Sequence, residues 1–103
     1  MTDEMRLTPY EIDAIRTTTR RLVGKDAIIW LFGSRADDSL RGGDIDLLIE
    51  TDDLLPNRAL TLSRLYGALI FSLGERKLDI LLKDGRTTSS PIYDVAKRTG
   101  VRL

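Results

Sequence analysis

Ala27-Ile28-Ile29-Trp30-Leu31-Phe32-Gly33-Ser34, followed ten residues on by Asp44-Ile45-Asp46-Leu47-Leu48-Ile49-Glu50, decides the fold. The first piece is apolar at both parities and rich in isoleucine and aromatics, which predicts a strand covered on both faces and therefore central. Gly33-Ser34 ends it, and Arg35 to Leu40 is long enough only for a short helix or turn before Gly42-Gly43 breaks the chain again. The second piece alternates, with Ile45, Leu47 and Ile49 pointing one way and Asp44 and Asp46 the other.

Outward from this centre, capping signals mark the helices. Thr8, Pro9 at the first helical position and Glu11 form a capping box, which predicts a helix to about Val23 that stops at Gly24. Its apolar positions Ile12, Ile15, Leu22 and Val23 are sparse, so one face meets the protein while Arg16, Arg20 and Arg21 sit mostly in water. Pro56 opens a long helix to about Leu73, with Leu60, Leu62, Leu65, Ala68, Leu69 and Phe71 as its apolar stripe and Gly74 as its stop. Arg76 to Lys83 alternates as a third strand, sending Leu78, Ile80 and Leu82 to one face and Asp79 with Leu81 to the other. Ser90-Pro91 opens a last short helix ending near Gly100. Trp30 and Phe32 read as core, Tyr66 and Phe71 as packing or interface residues. Three strands and four helices predict a single domain over residues 1–103 of α/β (α+β) class, a small mixed β-sheet packed with helices.

Composition narrows the chemistry. The 103 residues contain no cysteine and no histidine, which excludes thiol catalysis, thiolate metal sites and imidazole acid–base work. Carboxylates, hydroxyls and backbone groups remain. Sixteen Lys+Arg balance sixteen Asp+Glu, which argues against general attachment to nucleic acid or anionic membrane. The charges are segregated, however: Asp37 to Asp53 holds seven acids against one base, and Leu54 onward nine bases against four acids. An acidic centre beside a basic half suits a cation with a polyanion. No apolar run approaches the roughly 20 residues of a membrane span and the polar N-terminus lacks a signal core, so the expectation is a soluble, cytoplasmic protein with no membrane contact.

Asp44 and Asp46 share one side of a strand, and two like charges so close are costly unless neutralised. A divalent cation would relieve them, and hard oxygen ligands select Mg²⁺ or Mn²⁺; the alternative is a pair of solvated acids on a sheet edge. Gly33-Ser34 closes a strand with free N–H groups and a hydroxyl that suit phosphate oxygens, or it is an ordinary turn. Arg35 either supports a triphosphate or is solvated. Asp79 interrupts the apolar run Leu78 to Leu82, as a satisfied structural acid or as a site residue. Three acids on two neighbouring strands beside a phosphate-type turn favour the site reading.

The segments Gly33-Ser34-Arg35-Ala36 and Gly43-Asp44-Ile45-Asp46-Leu47-Leu48-Ile49 resemble the Gly-Ser, spacer, Asp-x-Asp signature of the DNA polymerase β-like nucleotidyltransferase superfamily, in particular its minimal nucleotidyltransferase (MNT-type) group. The likeness extends over nearly the whole chain, through the Asp79 strand and the closing Ser90-Pro91-Ile92 to Leu103. The spacer is one residue shorter than is usual in that family, and Gly43 stands where serine is common. The resemblance implies a polymerase β-like nucleotidyltransferase fold in which Gly33, Ser34 and Arg35 hold a nucleoside triphosphate. By the same resemblance, Asp44 and Asp46 ligate Mg²⁺ or Mn²⁺, and Asp79 helps hold a second metal or activates the acceptor hydroxyl.

The expectation is therefore an enzyme that moves a nucleoside monophosphate, AMP from ATP, onto a hydroxyl. A chain of this length leaves no room for a separate acceptor domain, so the acceptor belongs to a partner. MNT-type proteins pair with small helical HEPN-domain proteins and act as antitoxins that adenylylate a toxin tyrosine, and the resemblance implies the same here. Two alternatives stand beside it: a binding module that neutralises its partner by occlusion with an idle metal site, and small-molecule nucleotidylation of the aminoglycoside-resistance kind.

Overall fold

The computed structural model describes residues 7–33, 45–74 and 76–103. Helix α1 (Pro9–Leu22) opens on the expected capping box: Thr8 Oγ1 accepts from the Glu11 amide at 3.1 Å, and Glu11 Oε1 accepts from the Thr8 amide at 2.9 Å. The second Glu11 oxygen takes Arg76 at 2.8 Å, tying the helix start to the approach of the third strand. Strands β1 (Ile28–Phe32) and β2 (Ile45–Glu50) follow, then α2 (Arg58–Leu73), β3 (Leu78–Lys83), α3 (Pro91–Thr99) and β4 (Val101–Arg102). Helix α2 begins two residues after Pro56 because Asn57 caps it, its side chain accepting from the Leu60 amide at 3.0 Å. It ends, as expected, at Gly74, whose φ of 87° is open to glycine at little cost.

The sheet order is β3-β2-β1-β4. β1 pairs antiparallel with β2 and with β4, while β2 and β3 run parallel, so the small mixed sheet is as expected and β1 is interior to it. A fourth strand is added to the three read from sequence, because two residues after a glycine carry no period. Of the four helices expected, three lie among the described residues; the short one over 35–40 falls outside them.

Ile45, Leu47 and Ile49 form the centre of the core with Ile15 of α1 and Leu65 and Leu69 of α2. Each such side chain contributes roughly 1.5–3 kcal/mol on burial. The opposite parity of β2, Asp46, Leu48 and Glu50, belongs to the α3 side: Glu50 bridges Lys97 of α3 at 2.8 Å and accepts from Trp30 Nε1 at 3.4 Å. Phe71 departs from the stripe read for α2, being 92% exposed. The face that packs runs through Leu62, Leu65, Tyr66, Leu69, Ile70 and Leu73, the true three-and-four spacing, and Phe71 lies off that phase.

β3 is an edge strand, and α2 covers its outward groups with polar side chains. Tyr66 Oη accepts from the Ile80 amide at 2.9 Å, and Arg58 donates to the Leu82 carbonyl at 2.9 Å. Side chains on an edge deter strand addition. Tyr66→Phe, which leaves the Ile80 amide without its acceptor, is expected to lower unfolding free energy by about 1 kcal/mol in a urea titration.

Asp84, after β3, is a buried carboxylate, 4% exposed, that organises the far end of the sheet. It accepts from the Leu55 amide at 3.1 Å, the Arg86 amide at 3.0 Å and Thr87 Oγ1 at 2.9 Å. The Leu55 bond first, then those of Thr87 and Arg86, hold its carboxyl below the ordinary value against the opposing effect of burial. A depressed folded-state value adds stability that is present above the unfolded-state value, near 3.8, and is lost as pH falls through the folded one. Asp84→Ala is accordingly expected to lower Tm by several degrees at neutral pH, with the gap to wild type shrinking in melts taken at progressively more acid pH.

Candidate active site

The end of β1 and the beginnings of β2 and β3 meet at one end of the sheet. The antiparallel register sets Phe32 beside Asp46, and the parallel register sets Asp46 beside Asp79. In-register neighbours on adjacent strands are about 4.8 Å apart and project to the same face. The two carboxylates, 33 positions apart in sequence, therefore share one face at one end of the sheet.

Gly33 follows Phe32 with φ of 113°, a region that side-chain-bearing residues rarely adopt. A Cβ built on it would overlap Asp46 Oδ2 and lie 2.9 Å from Asp46 Cγ. The space a side chain would take at Gly33 is thus the space the Asp46 carboxylate occupies. Glycine at this position is therefore required by packing, a reason that no sequence signal carries, since it depends on how β1 and β2 pair.

Asp46 is half-buried and Asp79 exposed. That removes the structural reading of Asp79: its neighbours Leu78 and Ile80 turn into the core, and the carboxylate itself faces solvent with no hydrogen bond or ion pair among the described residues. An apolar run with one acid in it is here ordinary strand alternation, with the acid on the open side. Donor chemistry fits a hard divalent cation: Asp46 and Asp79 offer only carboxylate oxygens, on one face, with the Gly33 backbone against one of them. Two ligands are fewer than such a cation takes, and among the described residues no group of three or more acids forms a complete cage. Asp44, Ser34 and Arg35, the other residues assigned to the site from sequence, lie outside the described residues.

Residues 12–99 match the family model described as a nucleotidyltransferase domain. No curated protein matches the chain.

Proposed function

The chain belongs to the nucleotidyltransferase domain family, and from that premise we propose that it transfers AMP from ATP, with Mg²⁺ or Mn²⁺, to a tyrosine hydroxyl of a small HEPN-domain toxin and so acts as its antitoxin. The carrying observation is the register that brings Asp46 and Asp79 side by side, next to a glycine whose backbone lies against the Asp46 carboxylate. Family membership supports nucleotidyl transfer in general; the resemblance to MNT-type proteins supports the partner and the acceptor.

In this reading Gly33 and Ser34 hold the triphosphate through backbone N–H groups, and Arg35 adds a cation to them. Asp46 and Asp79, with Asp44, are the residues that would hold the divalent cation. The chemistry supplied by that cation when bound is neutralisation of phosphate charge and a lowered pKa for the acceptor hydroxyl. The acceptor oxygen bonds to the α-phosphorus as the bond to pyrophosphate breaks. In the same reading Asp79, exposed and unpaired among the described residues, holds the cation or takes the hydroxyl proton.

The test is incubation of the purified chain with α-labelled ATP, Mg²⁺ and the product of the neighbouring gene. Label on a tyrosine of that protein is the expected result. Neutralisation of the partner with no label on it would instead establish occlusion.

A further inference from the structure

Four cations converge on a cleft that the transfer chemistry leaves unused. Arg16 and Arg20 of α1, Lys25 in the turn after it and Arg102 of β4 line a cavity of about 650 Å³, with Asp26 its single acid. All four are exposed, and among the described residues none is bridged to a carboxylate side chain. Among the described residues Arg16 donates only to the Leu103 backbone oxygen, at 3.3 Å. In a chain of zero net charge this is a segregated positive patch, and the mutual repulsion of its members is relieved by an anionic partner.

Half-buried Ala27 and Ile28 and the buried Ile29 line the floor of the cleft, a small aliphatic area within a mostly polar lining. A second hollow of about 360 Å³ shares Arg16, Arg102 and Leu103 and continues over Ile12, Pro9 and one further acid, Asp13, so one groove with four cations and two acids follows α1 beside β4. β4 is the edge strand on this side of the sheet. The occupant must supply negative charge to the rim and aliphatic surface to the floor. An extended peptide that alternates the two does both, and an edge strand is a ready template for it. A nucleic-acid strand meets the rim alone: its bases dock on aromatic side chains, and none lines either hollow.

We propose that this groove docks an extended acidic segment of a partner protein, in which carboxylates alternate with aliphatic residues. The inference is independent of the transfer reading. Lys25 to Ile29 lie at the start of β1 and Gly33 at its end, so a segment seated here leaves Gly33, Asp46 and Asp79 uncovered.

The probe is a fluorescein-labelled octapeptide of alternating glutamate and valine, titrated with the whole protein at low salt and followed by anisotropy. Alternating lysine–valine peptide and a 16-base-pair RNA duplex serve as comparisons. Saturable binding of the acidic peptide alone is expected, weakened by added salt and by at least about tenfold in Arg20→Glu/Lys25→Glu. Arg20→Gln/Lys25→Gln repeats the measurement without charge reversal, and circular dichroism checks that both variants are folded. Asp79→Asn is expected to bind the peptide as wild type does, which separates this result from any failure of catalysis. Absence of saturation, tighter binding of the duplex, or equal binding by wild type and folded variants would each overturn the proposal.

Discussion

Asp79→Asn is expected to leave the fold and partner binding in place while transfer falls at least about a hundredfold, the lower part of the range for loss of a general base and less than loss of a metal ligand can cost. Stability is spared because the side chain is exposed and makes no hydrogen bond or ion pair among the described residues. The hydrophobic neighbours Leu78 and Ile80 that anchor β3 are untouched. Label incorporation reports the chemistry, while co-purification with the partner and a thermal melt report everything else. Full transfer by a folded Asp79→Asn protein would exclude any catalytic part for this carboxylate.

Gly33→Ala is the second substitution with a large expected effect, although it adds one methyl group. The residue would be forced into a φ of 113°, a strain of roughly 1–3 kcal/mol, and its Cβ would displace the Asp46 carboxylate. Misplacement of a reacting group by about 1 Å costs on the order of 10²-fold in rate, so transfer and MgATP affinity should both fall. Ser34→Ala is the natural comparison, since it removes one hydroxyl hydrogen bond of about 0.5–1.5 kcal/mol and leaves the backbone alone. Calorimetric titration with MgATP checks the pair. Equal and negligible effects would take this turn out of the mechanism.

What could be read from sequence was whatever local periodicity and capping write down. Thr8, Pro9 and Glu11 announce α1, the alternation of Ile45, Leu47 and Ile49 announces β2, and Gly74 marks the end of α2. Two kinds of feature were not legible. Phe71 stands near an apolar helical stripe and reads as part of it, although its phase puts it in solvent. Pairings made by the fold were invisible, among them the Tyr66 hydroxyl on the β3 edge, the Asp84 cluster, and the meeting of Arg102 with Arg16 across most of the chain. The candidate site falls between these cases. Asp46 and Asp79 were recognisable as acids on strand faces, but their adjacency depends on the parallel register, and the tolerance of Asp46 for only glycine at position 33 depends on the antiparallel one.

The pairing of β4 with β1 has a consequence in time. β1 can pair with β2 as soon as the dozen residues between them close a loop, but Leu31 waits for Val101, seventy positions later. Loop-closure entropy makes such distant pairings late events. On the ribosome, at roughly 5–20 residues per second, β1 exists for several seconds with one backbone edge bare and no α3 over Trp30. During that interval the nascent chain offers an apolar, unpaired strand to any neighbour, and Val101, Arg102 and Leu103 are the residues that close it.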